Sequence, residues 1–355
     1  MRTRFLGLAV LFTATSIACS PADDSAPAAA SSDGERPRIT NQDQLPRHTY
    51  EVEGSASEIL TSDAAFAPLA AAVRSDIETL LAEYEIEDRA TLEGLEGTLL
   101  NLDMLEGDGL PMGTVGSDFG PYADWMDEHR ISRSALRKIA GEFTAQAYIT
   151  TDQDDNQITA FHPGAMSYAH ECRVSDVAGV QIGMVSPDGR QGMIEHAQQF
   201  AEAGIPFVFD PGQGMPMFDG DDLNRFAAEA TWLAFNDYEA KLMQERTGKS
   251  PERLAREVEA VIVTRGGEGS TIYTRGGAIE IPLAPAQQLV DPTGCGDAYR
   301  GGLLYGLQNG LDWEVTGRIA SLLGAIKIEH AGTQNHGIGR SDFDARFKET
   351  FGFSL

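Results

Sequence analysis

Basic residues are scarce in this 355-residue sequence: 27 Lys and Arg stand against 54 Asp and Glu, a formal net charge of −27. Binding to a nucleic-acid backbone needs clustered cations, so this balance argues against that partner. It suits a soluble, self-repelling surface instead. Cysteine is scarcer still, with only Cys19, Cys172 and Cys295, too few and too scattered for a disulfide framework or a zinc site. The seven histidines form no metal-ligating constellation; His162 and His170 are too far apart for one helical face, and His330 and His336 fall in or near a terminal loop. The apolar run Phe5 to Ile17 is too short to span a bilayer as a helix. The length allows one large α/β domain or two smaller ones.

The amino terminus has a layout of its own. Arg2 and Arg4 precede that apolar run, and Ala18-Cys19-Ser20 follows it, as in a secretory signal. A small residue before Cys19 resembles the lipobox of bacterial lipoproteins, although Ser16 stands where an aliphatic residue is usual. That resemblance implies an envelope location through a lipid anchor on Cys19. A plain cleaved signal and an apolar tail are the alternatives. Residues 1–19 are thus a candidate signal, and 20–46, with almost no large apolar residues, a disordered tether. Within 47–108 a weak strand precedes an acidic helical hairpin. Phe66, Leu69, Val73, Ile77, Leu80 and Tyr84 recur along one face of its first helix; Leu92, Leu95, Leu99, Leu102 and Leu105 stripe the second, which Gly94 and Gly97 weaken.

From residue 109 onward the character changes to α/β repeats. Short apolar strands at Val180 to Val185, Pro206 to Phe209, Trp232 to Phe235 and Val261 to Thr264 alternate with helical segments from Gly192 to Ala203 and from Asp237 to about Glu245. That alternation predicts a mostly parallel sheet covered on both faces. Two hairpins are expected, one of Ala147 to Thr151 with Gln157 to Phe161, the other within Gly269 to Pro282 about Arg275-Gly276-Gly277. Two helices, about Cys295 to Asn309 and Trp313 to His330, close the domain.

The organising stretch is Asp291-Pro-Thr-Gly294-Cys295-Gly296-Asp297, which runs into Ala298-Tyr299-Arg300-Gly301-Gly302 and an apolar helix. Gly294 and Gly296 flank a small residue, so successive N–H groups can converge on one anion at a helix N-terminus. Asp297 beside that anion is electrostatically expensive unless its carboxylate is needed to accept a proton. Phosphoryl transfer to a hydroxyl is the chemistry that pairs the two. A lone Gly-x-Gly-Asp also describes a turn and an N-cap, but the whole string resembles the C-terminal signature of the ribokinase-like, or PfkB-type, carbohydrate and nucleoside kinases. Cys295 replaces the usual Ala and Tyr299 the usual Phe.

Further segments are similar to the same family. Met112-Gly113-Thr114-Val115-Gly116-Ser117-Asp118-Phe119-Gly120 is similar to its V-G-x-D-x-F-G segment. Asn236-Asp237-Tyr238-Glu239 resembles the N-x-x-E motif, which implies that Asn236 and Glu239 organise Mg²⁺ and phosphate through water. Thr264 to Ser270, with Gly266, Gly267 and Gly269, matches the T-x-G-x-x-G segment that runs along ATP. Ala331 to Asn335 implies an adenine-side loop and room for a monovalent cation. By this resemblance Asp297 is the base, the N–H groups of Gly294, Cys295 and Gly296 stabilise the transferred phosphoryl group, and the acceptor is a small sugar or nucleoside. A homodimer is compatible with it. The context of His162 to Met166 leans towards adenosine or sugar kinases.

Two family motifs are missing. The acceptor-binding N-x-D has no counterpart near Gly54, and Leu92 to Gly97 occupies the spacing of G-G-x-x-x-N without its paired glycines or its Asn. Divergence and a join near residues 105–110 both account for this. The abruptness of the change favours a join, which predicts a ribokinase-like sheet in 109–355 that lacks its N-terminal strands and lid, and leaves a non-catalytic lipoprotein as the alternative function.

Overall fold

Buried aromatic and β-branched runs set the architecture, because their residues have apolar neighbours on both sides. The computed structural model describes the backbone of residues 4–8, 11–18, 38–39, 85–86, 93–151 and 157–355, and the side chains of 97–146 and 161–355. In chain order the elements are β1 (Arg4–Leu8), β2 (Leu11–Ala18), β3 (Arg38–Ile39), β4 (Glu85–Ile86), β5 (Glu93–Gly94), α1 (Leu95–Met104), β6 (Gly109–Val115), α2 (Gly120–Glu128), β7 (Ala135–Lys138), β8 (Gln146–Thr151) and β9 (Gln157–His162). There follow β10 (Val180–Val185), α3 (Arg190–Ala203), β11 (Phe207–Phe209), α4 (Gly220–Glu229), β12 (Trp232–Asn236), α5 (Asp237–Thr247), α6 (Pro251–Leu254), β13 (Ala260–Thr264), β14 (Ser270–Thr274), β15 (Gly277–Ile281), α7 (Cys295–Gln308), α8 (Trp313–Ile328) and α9 (Arg340–Phe351). None of the helices among the described residues is long and apolar enough to cross a membrane.

The chain divides into two compact units, one of residues 1–12, 92–146 and 163–355, the other of 13–91 and 147–162. In the first, the sheet runs β15-β14-β13-β12-β11-β10-β1-β6-β7. The strands from β13 to β7 are parallel, and β14 and β15 form the antiparallel hairpin expected at this edge. Successive residues feed two cores, as a sheet covered on both faces requires. Phe207, Phe209, Leu233, Phe235, Val261 and Val263 enter one core with Phe200 and Phe226 of the covering helices. Val208, Ala234 and Ile262 enter the other with Leu303, Leu304 and Ala320. The closing helices fall where periodicity placed them, but α9, which buries Phe343 and Phe347, was not anticipated. In the second unit, β3 pairs with β4, and β8 and β9 form the hairpin expected at these positions.

The amino-terminal expectations need correction. The apolar run taken for the core of a signal is built into β1 and β2, and β1 lies between β10 and β6, parallel to both, with Phe5 to Leu8 in register on either side. The sheet therefore does not lack its central strand. Composition misleads here because a short apolar run describes a buried strand as well as a signal core. The boundary at 109 is likewise too late: α1 belongs to the large unit and buries Leu99 and Leu102. Cys19, most of the 20–46 tether and the first helix of the expected hairpin lie outside the described residues.

Removing residues 1–19 is expected to abolish cooperative unfolding. Each N–H or C=O left unpaired on the facing edges of β6 and β10 costs about 1–3 kcal/mol, and together these approach the ~5–15 kcal/mol that stabilises a typical domain. Urea unfolding and size-exclusion chromatography of residues 20–355 beside the full chain are the check. An unchanged midpoint would mean that β1 is dispensable.

Candidate active site

The C-terminal ends of parallel strands carry the loops where ligands of open α/β sheets bind, and the predicted residues cluster on those loops in the large unit. Gly294 caps α7 in the left-handed conformation, at φ 82° and ψ 0°, which a side chain rarely adopts. A Cβ there would also stand 3.1 Å from the Thr333 carbonyl oxygen. The two N–H groups that follow, of Cys295 and Gly296, open the helix, and Asp297 lies in its first turn, half-buried. A helix N-terminus of this form attracts an anion, and a carboxylate beside it can take a proton from an attacking hydroxyl.

The cradle is fixed from below by Asp291. Its Oδ1 accepts the Thr293 N–H at 2.9 Å and its Oδ2 the Gly332 N–H at 2.8 Å, so the turn before α7 and the loop after α8 are stitched together. Burial opposes the charged form, but these amides and the Lys327 ammonium outweigh it and hold the Asp291 carboxyl below its ordinary range. Asn335 lies in that second loop, exposed, with its Nδ2 donating to the Ala331 carbonyl. Burial pushes the Cys295 thiol up, against the charge of Lys327, so the thiolate that a helix N-terminus would favour is disfavoured here.

Asn236 and Glu239 form a reciprocal cap on α5. The Asn236 Oδ1 accepts the Glu239 N–H at 2.7 Å, while Glu239 accepts the Asn236 backbone N–H at 2.8 Å and its Nδ2 at 2.9 Å. Both motif residues are thus pre-set by local capping. Asn236 pairs in register with Thr264 on the neighbouring strand, which brings the Thr264 segment alongside. There Gly266 and Gly267 enter a short turn and Gly269, at φ 81°, leads into β14. The Tyr299 hydroxyl meets Ser270 Oγ at 2.7 Å, which gives the Phe-to-Tyr departure a buried partner.

A charged pair that sequence reading did not single out ties these motifs together. Arg300, one turn beyond Asp297, donates from Nε and Nη2 to the Asp210 carboxylate at 2.8 and 3.0 Å, and both residues are buried. Burial works against the guanidinium, but Asp210, and more distantly Glu239 and Asp297, outweigh it and hold Arg300 above its ordinary pKa. Burial, followed by the neighbouring Asp210 charge, pushes the Glu239 carboxyl up, while Arg300 restrains it. One cation therefore serves three carboxylates. Its sequence signal was a charge inside an otherwise small and apolar helical stretch.

The segment without the paired glycines also reaches the site. On α1, a Cβ at Gly97 would come within 3.2 Å of the Asp297 Cβ. Asn101 Nδ2 donates to the Gly97 carbonyl, and Asn101 Oδ1 contacts His336 Nε2 at 2.9 Å. The missing N-x-D counterpart near Gly54 falls outside the described residues.

The family model for pfkB family carbohydrate kinases matches residues 101–338. The chain belongs to this family. Over 99% of its length it superposes on all of a nucleoside kinase from Burkholderia thailandensis solved with inosine, with a TM-score of 0.76 and 37% identity. It is 31% identical to a nucleoside kinase of Methanocaldococcus jannaschii over 224 residues, which is 62% of this chain and 74% of that one. An Arabidopsis thaliana ribokinase solved with ribose and ATP shares the fold at a TM-score of 0.65 and 15% identity. This pfkB protein is accordingly an ATP-using kinase of the carbohydrate and nucleoside class.

Arg300→Met is expected to cost about 3–5 kcal/mol, since it strands the buried Asp210 charge. Adding Asp210→Leu should recover much of that loss, because it removes the carboxylate that the single variant leaves buried and unpaired. Urea unfolding of the single and double variants decides it, and a single-variant loss below about 1 kcal/mol would reduce the pair to an incidental contact.

Proposed function

We propose that this pfkB protein is a nucleoside kinase that transfers the terminal phosphoryl group of ATP to a primary hydroxyl of a nucleoside. What carries the reading is the 37% identity, over essentially its whole length, to the Burkholderia nucleoside kinase solved with inosine, joined to a Gly294 anion cradle with Asp297 in its first turn. The plant ribokinase, bound to a free sugar, is far less similar at 15% identity.

In this reading Asp297 accepts the hydroxyl proton as the new P–O bond forms and the bond from the terminal phosphorus to the bridging oxygen breaks, with ADP as the leaving group. The N–H groups of Gly294 and Gly296 bind the equatorial oxygens of the transferred group and neutralise the charge gathering on them, and the Cys295 N–H, which donates to the Pro292 carbonyl at 3.2 Å, would have to be shared or redirected to join them. Arg300, anchored on Asp210, places a positive charge one helical turn beyond Asp297. Thr264 and the glycines after it let the nucleotide lie against the backbone.

Mg²⁺ fits the site only through water. Each Glu239 oxygen already accepts a hydrogen bond from Asn236, which leaves it a second lone pair for a metal-bound water. Among the described residues there is no group of three His, Cys, Asp or Glu able to hold a metal directly. Glu239 and Asn236 would orient a hydrated ion, which, when bound, offsets phosphate charge.

Transfer of labelled phosphate from ATP by the full chain, across inosine, adenosine, other nucleosides and ribose, tests the reading. Inosine or a related nucleoside should be phosphorylated, and Asp297→Asn should lower turnover by roughly 10²–10⁴-fold with folding retained. Transfer to ribose alone would replace the nucleoside by a sugar. Unchanged turnover in the variant would remove Asp297 as the base.

A further inference from the structure

Lys327 is wholly buried, yet the role just described makes no use of it. It sits in the last turn of α8, where a lysine ordinarily reaches the final carbonyls of its helix and then solvent. One of its bonds follows that pattern, with Nζ donating to the His330 carbonyl at 3.2 Å. The shorter one does not: Nζ donates to the carbonyl of Asp291 at 2.9 Å, on the turn that leads into α7. The Lys327 Cε lies 3.3 Å from where a Cβ on Gly294 would be, so the ammonium stem runs directly behind the cradle. Its charge is felt around it, helping to hold the Asp291 carboxyl down and working against the rise in the Cys295 thiol. Burial first, and then Lys327, holds His336 neutral down to about 4, so the imidazole adds no competing charge at neutral pH.

Burying an ammonium is costly unless polar groups compensate. Here the compensating groups are backbone carbonyls from the two loops that Asp291 also stitches together. Carbonyls converging on a positive centre are what a bound monovalent cation would require, and the loop 331–335 was expected to lie beside such an ion. The lysine already draws two carbonyls, those of Asp291 and His330, onto its ammonium.

We propose that Lys327 is a tethered cation: its ammonium clamps the 291–294 turn to the 330–333 loop and supplies, from behind Gly294, positive charge that holds phosphate in the cradle, so that phosphoryl transfer needs no added monovalent ion. Both hydrogen bonds of Lys327 go to backbone carbonyls, which makes it a positioning residue. The proposal rests on the kinase reading for its turnover arm, but not for its binding arm.

The experiment uses the full chain in buffer whose only bulk cation is N-methylglucamine, with or without KCl or methylammonium chloride. Equilibrium binding of ATP, turnover on inosine and thermal melting are measured for the wild type, Lys327→Ala and Lys327→Met. Wild-type ATP binding and turnover should change less than about twofold on adding KCl. Lys327→Ala should bind ATP roughly tenfold or more weakly, as expected for removal of a charge beside a phosphate, and K⁺ or methylammonium should restore most of that loss. Lys327→Met, which fills the space with an apolar chain, should be weakened without being restored. A wild type stimulated about tenfold by KCl overturns the proposal whatever the variants do, and needs no variant to fold. A folded Lys327→Ala chain that keeps its ATP affinity, or that neither ion restores, overturns it too. Absence of transfer by the wild type with every nucleoside would sink the kinase reading alone, because ATP binding still decides the role of Lys327.

Discussion

The site depends on how closely α7 approaches its neighbours. A Cβ at Gly301 would stand 2.6 Å from the Asn101 Cβ of α1, and one at Gly302 would stand 2.5 Å from the Ala320 Cα of α8. No real side chain tolerates such distances, so the paired glycines are what let α7 lie against both helices at once. That packing fixes the axis of α7, and the axis fixes where its first N–H groups point. It also brings Gly97 of α1 against Asp297 and Lys327 of α8 behind Gly294. An anion cradle is only as well aimed as the helix that carries it.

Electrostatics then divides the site into two buried cations with different tasks. Arg300 faces carboxylates: it holds Asp210 in a forked pair, restrains Glu239 and exerts its field on Asp297. Lys327 faces carbonyls and serves the loops of the cradle. The assignment matches the side chains, since a planar guanidinium suits bidentate carboxylates whereas a compact ammonium suits converging single acceptors. In a chain of net charge −27, two cations withdrawn from water next to the proposed phosphate cradle are a specific use of a scarce resource.

Much of the large unit was legible because its signals are local. Val180 to Val185, Trp232 to Phe235 and the hairpin about Arg275 to Gly277 read as strands from short apolar or alternating runs. Asn236 and Glu239 announced a capped helix start by their spacing alone. The amino terminus was misread for a reason of the same kind. Arg4 to Leu8 carries no mark that distinguishes a central strand from a signal core, and only its pairing with β10 and β6 does so. The α1 segment was set apart because it lacks a motif, although its packing against α7 needs only Gly301 and a leucine stripe.

By itself, the sequence determined the sheet strands from β10 onward, the helix that begins at Cys295, the glycine turn at its start and the carboxylate in its first turn. These follow from hydrophobic period, turn chemistry and backbone freedom, all of which act over a few neighbouring residues. Tertiary structure alone decided that Asp210 meets Arg300 across 90 positions, that Lys327 reaches Asp291 across 36, and that Cys295 is a disfavoured thiolate. Each of those depends on burial and on partners brought together by packing. The energy of a buried charge is set by what surrounds it in space, which no local pattern encodes.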